Sequence, residues 1–568
     1  LGLTAYTMAI RRLQGTVAGH SGLAGVAVLM RYTLRLLTLQ QFQRAAALIC
    51  ACEAIRQEAQ AAGDTQWGAE PFRIGLWVGS ASTPNTTADS AEALNRTGDG
   101  RGTPYQITAC PWCGSPIRPD RHLRVDPYAK GRGRTFTWCG DPLGECRFSQ
   151  RQSPHEGLPV VVVDEEVYRL LPSLLIATVD KFAQLPWKGE TQMLFGRVTH
   201  HCARHGYCGP ELTCGGSHHA THDLPATVTQ PIAPLRPPDL IIQDELHLIS
   251  GPLGTLVGLY ETAIDRLCEW QVDGHTVRPK LVASTATIRR AAEQVHQLYL
   301  RRVNIFPPAG LDVRDNFFAR QRAPTEDEPG RLYVGICAPG LRIKSTLIRA
   351  YVAIMAAAQK LYVEHGAAAD PYMTTVGYFN AVRELGGMRR AVDDAVTTRL
   401  RHTDERGLAT RLLKHDGVEE LTSRKSAADI PQILDRLEIP FGAAAKKAIP
   451  LDVLLATNMI SVGVDISRLG LMVVAGQPKT TAEYIQATSR VGRRHPGLVL
   501  VVYNWARPRD LSHYERFSHY HATFYQHVEA QSVTPFSPRA LDRGLTGAML
   551  SIMRHTYDPF AANDGAGA

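Results

Sequence analysis

Leu240-Ile-Ile-Gln-Asp-Glu-Leu-His247 is the stretch on which the reading of the fold turns. Three aliphatic residues run into two adjacent carboxylates, the pattern of a short buried strand that delivers acids at its end. In an open parallel sheet, ligands bind outside the carboxyl ends of the strands. Two acids placed there suit a hydrated Mg²⁺ ion and an attacking water. An isolated Asp-Glu pair also fits a plain helix start, where carboxylates meet the positive N-terminus. The surrounding sequence decides between the two.

The chain has 568 residues, of which 44% are hydrophobic and 20% charged, the balance of a globular protein with about two to four domains. A net charge of +8 permits a polyanionic partner without demanding one. No apolar run approaches the ~18 residues that span a membrane, so no membrane partner is expected. Eleven cysteines are too few for a disulfide scaffold in a chain this long and favour a reducing, cytoplasmic setting. The chain opens on Leu1 with no initiator Met, which reads as an N-terminal truncation.

Outward from the acid pair, apolar strands alternate with helices. Expected strands are Val26 to Met30, Phe72 to Val78, Val160 to Val163, Leu174 to Thr178 and Lys280 to Ala283. Expected helices are Leu3 to Leu13, Arg31 to about Gln60 and Leu253 to Trp270. Ser82 to about Thr103 reads as surface loop, and about Thr199 to Pro238 as an irregular His/Cys-rich region. A second block has helices Lys344 to Glu364 and Ala381 to Leu400, with strands at Thr374 to Phe379, Asp452 to Thr457, Leu469 to Val474 and Leu498 to Tyr503. Such alternation implies α/β architecture with parallel sheets covered on both faces. The tail Ala561 to Ala568 reads as disordered.

Three further elements keep company with the acid pair. Ser284-Thr-Ala-Thr287 ends the next strand, where hydroxyls reach the carboxylates. Ala456-Thr-Asn-Met-Ile-Ser-Val-Gly-Val-Asp465 follows a strand of the second block. Tyr484-Ile-Gln-Ala-Thr-Ser-Arg-Val-Gly-Arg-Arg494 reads as a helix carrying Arg490 and Arg493 on one face, suited to a triphosphate. A solvated basic face is the plain alternative.

In order and spacing these four elements resemble superfamily 2 helicases of the DExH type. Pro238-Asp-Leu-Ile-Ile-Gln-Asp-Glu-Leu-His-Leu-Ile-Ser-Gly-Pro-Leu-Gly254 and Met459-Ile-Ser-Val-Gly-Val-Asp465 resemble the DrmA family, the helicase-like component of DISARM anti-phage systems, over nearly the whole chain. The resemblance implies two RecA-like parallel-sheet domains, with Cys/His-rich, zinc-type insertions in the first. Residues 1–305 would form the first domain with insertions at about 82–158 and 199–237, 306–330 a linker, 331–510 the second domain and 511–568 a C-terminal extension. It implies that Asp244 holds Mg²⁺, Glu245 orients the hydrolytic water, and His247 couples the site to the second domain. Ser284, Thr285 and Thr287 would link hydrolysis to nucleic-acid movement, and Gly463 with Asp465 would contact the nucleotide. Gln486, Arg490 and Arg493 would complete the ATP site. Ala487 stands where relatives carry an Arg, which removes one phosphate contact. Thr33, Gln40, Gln41, Gly79, Thr178, Asp180, Asn380, Thr422, Ser423, Arg424 and Thr457 match positions that grip a nucleic-acid backbone, giving affinity without sequence readout. The implied partners are DNA, with RNA not separable by these motifs, and a DrmB-like defence protein.

A helicase also needs a Gly-rich loop with Gly-Lys-Ser/Thr to cradle phosphates, and neither tripeptide occurs in these residues. Leu1 to Leu13 reads as the helix that such a loop would feed, so the loop is expected upstream and these residues alone are expected not to hydrolyse ATP. Two other readings remain: a DExH RNA helicase, and a non-hydrolysing, zinc-stabilised nucleic-acid-binding scaffold.

Cys110-Pro-Trp-Cys113 reads as a knuckle that Cys139 and Cys146 are expected to complete into a four-thiolate structural zinc site, with a relic knuckle of merely buried cysteines as the plain alternative. A second tract, His200 to His222, offers more candidates than a site requires, and Cys202, His205, Cys208 and Cys214 are the set expected. The aromatic run Ser512 to His527 reads as a helix packing on the second domain, with base stacking as the alternative.

Overall fold

The computed structural model describes every residue except 34, 97–101, 127–132, 221–223, 287–288, 309, 313, 319, 321, 415, 423, 426–428, 443–448, 462–465 and 566–568. The chain forms two compact units. The first comprises Leu1–Thr285, Arg290–Val303 and Gln531–Ala568; the second comprises Ala286–Arg289 and Asn304–Ala530.

The first unit begins with helix α1 (Gly2–Gln14), strand β1 (Val28–Tyr32), helix α2 (Arg35–Ala61) and strand β2 (Ile74–Trp77). Helix α3 (Thr87–Asn95) follows, then the hairpin β3 (Leu123–Asp126) and β4 (Arg134–Thr137). Next come β5 (Val160–Val161), α4 (Asp164–Leu170), β6 (Leu174–Thr178), the antiparallel hairpin β7 (His200–Cys202) and β8 (Gly206–Cys208), whose β7 edge also pairs with Gln230–Pro231, and the antiparallel pair β9 (Ser217–His218) with β10 (Thr227–Val228). Strand β11 (Leu240–Gln243), helix α5 (Gly251–Leu267), strand β12 (Lys280–Ala283) and helix α6 (Ala291–Tyr299) complete this stretch.

The main sheet of the first unit runs β12-β11-β1-β6-β2-β5, parallel throughout. Its central strands β1, β6 and β2 are buried along their whole length. This is why they read as apolar runs rather than alternating patterns. Trp77 sits edge-on to Phe182 at 5.1 Å and donates its indole N–H to the Tyr168 hydroxyl at 3.0 Å. That satisfies the one polar atom of the largest core side chain.

In the second unit, β13 (Arg331–Cys337), α7 (Ile343–His365), β14 (Thr375–Phe379), α8 (Val382–Ala391), β15 (Val418–Leu421), α9 (Asp429–Glu438), β16 (Val453–Ala456), β17 (Leu471–Ala475), α10 (Thr481–Thr488) and β18 (Gly497–Tyr503) alternate. Their sheet is also all-parallel, in the order β13-β18-β17-β14-β16-β15. Tyr351 of α7 presses so close to Gly377 that a Cβ there would lie 2.1 Å from its hydroxyl, so β14 requires glycine at that position. Two RecA-like α/β units, with Cys clusters in the first, are the architecture expected from the sequence.

Helices α11 (Pro508–Glu515) and α12 (Phe517–Ala522) pack aromatics back on the second unit. Tyr520 is 4% exposed, Phe524 meets Tyr484 edge-on at 5.1 Å, and His521 bonds the Tyr484 hydroxyl. Helix α13 (Pro538–Thr556) then returns to the first unit along α5, where Leu259 fills the space a Gly544 side chain would need.

Four local expectations change. The stretch expected as loop after Ser82 contains α3, started by a capping box in which Thr86 and Asp89 each accept the other's backbone N–H. That pairing satisfies two N–H groups otherwise left open at a helix start. Strands β13 and β15 stand where no strand was expected. Helix α10 stops at Thr488, so Arg490 and Arg493 lie in the turn beyond it rather than on one helical face. Gly492 at φ +70° redirects the chain there, and its N–H reaches the Leu469 carbonyl at 2.8 Å. Within the tail expected to be disordered, Ala561 is buried and Asn563 accepts the Gly189 N–H at 2.7 Å. Among the described residues no helix is long and apolar enough to cross a membrane.

Candidate functional site

Strand β11 lies between β1 and β12, and the backbone ladder continues past its end. The Asp244 N–H bonds the Arg31 carbonyl at 3.1 Å, and the Leu246 N–H bonds the Ser284 carbonyl at 3.0 Å. The acid pair is therefore held from both sides as it leaves the sheet. Asp244 Oδ1 accepts the Ser284 hydroxyl and, at 3.0 Å, the Glu245 N–H. Glu245 has left-handed backbone angles, φ 50° and ψ 48°, a conformation that costs a non-glycine residue on the order of 1 kcal/mol. Its carboxylate lies 3.4 Å from Nδ1 of the buried His247, which in turn lies 3.5 Å from the Thr285 hydroxyl. Burial, then the charges of Asp244 and Glu245, push the Tyr32 phenol well above its ordinary value, so it stays a neutral neighbour to both acids.

Other first-unit candidates fall on the same carboxyl edge. Thr33 follows β1, Gly79 follows β2, Thr178 ends β6, and Asp180 stands in the exposed turn after it. Gln40 and Gln41 lie half-buried in α2. Ser284 and Thr285 end β12, while Thr287 lies outside the described residues.

The second unit repeats the plan. Asn380 follows β14 and donates to the Ala475 and Gln477 carbonyls at 3.3 and 3.2 Å. Thr422 and Arg424 follow β15, with the Arg424 N–H on the Thr422 hydroxyl. Thr457 follows β16 and is 7% exposed. Arg490 donates to the Ser461 carbonyl, which brings the turn after α10 to the edge where β16 ends. Gln486 is half-buried in α10, and Arg493 is exposed. Ser423, Gly463 and Asp465 lie outside the described residues.

Two positioning groups escaped the sequence. Gln294 of α6, 3% exposed, donates to the Leu246 and Ile249 carbonyls at 3.3 and 2.9 Å, fixing the turn that carries His247. Gln477, equally buried, donates to the Tyr520 hydroxyl, which donates to Thr481 at the start of α10. A single glutamine on an apolar helix face was the available signal for the first; the second carried none.

The cysteines converge as expected in one cluster and differently in the other. Sulfurs of Cys110, Cys113, Cys139 and Cys146 all lie within 4.8 Å of one another, with Cys113 to Cys139 at 3.3 Å and Cys110 to Cys146 at 4.0 Å. A tetrahedral zinc with bonds of ~2.3 Å would hold sulfurs roughly 3.8 Å apart, so the donor set fits that ion. Asp141 accepts the Glu145 and Cys146 N–H groups at 2.8 Å each, shaping the second knuckle. In the other tract the converging set is Cys202, His205, Cys214 and His218. His218 takes the place expected for Cys208. Cys208 pairs with His200 in the hairpin whereas Cys202 pairs with Gly206. At ~3.4 Å per residue that register carries Cys208 roughly 7 Å along the ladder from the Cys202 position.

Residues 404–495 match the helicase conserved C-terminal domain. The chain is 41% identical over 573 residues to the DISARM protein DrmA of Bacillus paralicheniformis, covering 99% of this chain and 49% of that protein. It thus spans about half the length of that relative. Among solved structures, the DUF1998 helicase MrfA bound to DNA aligns over 98% of this chain and 56% of its own, at 16% identity and a TM-score of 0.44. Mycobacterium smegmatis helicase Lhr bound to ssDNA and AMP-PNP aligns over 93% and 48%, at 13% identity and a TM-score of 0.43.

Proposed function

The chain belongs to the DrmA family of superfamily 2 helicases, over about half of such a protein's length, and on that premise we propose that it carries the motor of an ATP-dependent helicase or translocase acting on DNA in phage defence. The observation that carries the reading is the acid pair at the end of β11, gripped by Ser284 from the neighbouring strand and backed by His247.

Bound ATP with Mg²⁺ would supply the phosphoanhydride whose hydrolysis drives the cycle. Asp244 would hold the hydrated cation; both hydrogen bonds it accepts among the described residues fall on Oδ1, which supports a role for the other oxygen in that contact. Glu245 would orient the attacking water and take its proton at a carboxylate oxygen, while His247 fixes that carboxylate's rotamer. Ser284 and Thr285 would sense the two acids through these same bonds. Arg490 and Arg493 are assigned to phosphate charge, Gln486 and the Gly463 to Asp465 stretch to the nucleotide. Thr33, Gly79, Thr178, Asp180, Asn380, Thr422, Ser423, Arg424 and Thr457, with Gln40 and Gln41, are assigned to the nucleic-acid backbone.

Cys110, Cys113, Cys139 and Cys146 would hold one structural zinc, since a closed four-thiolate set leaves no open position for chemistry. A DrmB-like protein is the partner that family membership suggests. Because no Gly-Lys-Ser or Gly-Lys-Thr occurs in residues 1–568, these residues by themselves are expected not to hydrolyse ATP. Nucleic-acid-stimulated hydrolysis by the isolated chain, abolished by Glu245→Gln, would overturn that expectation.

The decisive experiment uses the complete protein. DNA should stimulate ATP hydrolysis, and Glu245→Gln should lower the stimulated rate by about 100-fold or more, the scale of losing a general base. Stimulation by RNA but not DNA would replace the substrate assignment. Wild-type protein that binds DNA without any stimulated hydrolysis would leave the scaffold reading.

A further inference from the structure

We propose that the first unit holds a second metal ion of the zinc class, ligated by Cys202, His205, Cys214 and His218. Their four ligand atoms lie within 4.8 Å of one another. His205 Nδ1 stands 3.6 Å from the Cys202 sulfur and 3.3 Å from that of Cys214, and His218 Nε2 stands 2.9 Å from Cys214. Zinc bonds of ~2.3 Å to sulfur and ~2.0 Å to nitrogen separate such donors by roughly 3.5 Å, so the cluster needs only small adjustments to close on an ion. Cys202 is fully buried and His205 is 6% exposed, while the two rings meet edge-on at 4.6 Å between centroids. Two thiolates and two neutral imidazoles are a borderline-soft set that favours Zn²⁺ over Mg²⁺ or Ca²⁺.

Tyr207 anchors this tract in the core of the first unit, with Leu212 and Ile232 packed against it, and the ion would add a crosslink between its two halves. Cys202 and His205 sit at the turn of the β7–β8 hairpin, whereas Cys214 lies on the segment leading into β9 and His218 on β9 itself. The metal would therefore staple a small three-stranded sheet, β8-β7 with Gln230–Pro231 on the other edge of β7, to the β9–β10 pair, every strand only two or three residues long. Strands that short hold few backbone bonds, and a metal crosslink adds folding free energy to them. The stapled knuckle is tied to the sheet through α4, since Arg169 donates to the His205 carbonyl at 2.6 Å. Arg204 closes the other side by donating to the His219 and Pro225 carbonyls at 3.0 and 2.7 Å. This site is independent of the four-cysteine cluster and of the helicase reading.

Zinc content of the purified 568-residue chain tests it. Wild-type protein should carry two ions per chain. Cys214→Ser and His218→Ala should each carry one, and Cys208→Ser should keep two. A double Cys110→Ser, Cys113→Ser variant should keep one ion, and Cys214→Ser added to it should remove that ion. Should the variants of the second tract fail to fold, Co²⁺ can be titrated into metal-stripped Cys110→Ser, Cys113→Ser protein. A tetrahedral spectrum with about half the thiolate charge-transfer intensity of a four-cysteine site is expected there. Two zinc ions retained in Cys214→Ser, loss of one in Cys208→Ser, or no tetrahedral cobalt in the double variant would each overturn the proposal.

Discussion

Gln294 shows how one side chain sets the geometry of a site it does not enter. It holds the carbonyls of Leu246 and Ile249 from a neighbouring helix, so the turn after the acid pair cannot unwind without leaving two buried acceptors open. Replacing it with Met should cost about 1–3 kcal/mol, the desolvation of those groups, seen as a lower denaturation midpoint. In the complete protein kcat should fall further than KM for ATP rises, because the turn positions His247 and Glu245 rather than binding nucleotide. Unchanged stability would mean that the carbonyls find other donors. At this scale the acids, Ser284 and His247 were legible, because adjacent ionisable residues at a strand end have few structural uses. Gln294 was not, since glutamine is common on helices and only the fold reveals what lies beneath it. His218 stood among the candidates of its tract and was passed over for Cys208 for a related reason: spacing along the chain does not rank ligands, whereas ligation is decided by which residues a hairpin's register brings together.

At the scale of elements, helix α13 carries the clearest consequence. His555 near its end is buried, with Nε2 donating to the Leu185 carbonyl at 2.9 Å and standing 3.0 Å from the Thr191 hydroxyl. Burial, with the nearby charges of Arg554 and Arg197, lowers its pKa to about 4. Protonation would place a second N–H at Nδ1, a buried atom without a partner among the described residues. Because the folded value lies below the ordinary 6.5, its stabilising contribution is full above pH 6.5. It is lost as pH falls toward 4, by about 3 kcal/mol in all. Hydrogen exchange along Pro538–Thr556 should therefore accelerate between pH 7 and pH 4.5, after correction for intrinsic rates, and His555→Gln should remove most of that dependence. An identical pH profile in the variant would assign the effect to other groups. The elements themselves were mostly legible, since apolar strands buried on both faces and long amphipathic helices announce themselves. Helix α3 was masked by the Gly- and Asn-rich residues around it, and only its capping box marks it. Helix α10 was overextended because an Arg-rich stretch looks helical until Gly492 turns it.

On the scale of the whole molecule, the cysteine and histidine clusters are confined to one of the two units. Both clusters lie in the first unit. Removing metal with a strong chelator should therefore speed exchange and proteolysis within 105–160 and 199–237 while leaving 331–503 unchanged. Equal loss of protection in the second unit would argue against metal as a local staple. The sequence by itself determined two parallel-sheet α/β domains, the acid pair, the motif order and the four-cysteine set. These rest on local periodicity and short spacing, which neighbouring residues encode directly. Only the tertiary structure decided that His218 rather than Cys208 joins the second cluster, that the last helix belongs with the first unit, and that Gln294 braces the acid turn. Each of these joins residues far apart in the chain, through strand register, helix packing or a buried carbonyl, and such pairings exist only once the backbone has closed on itself.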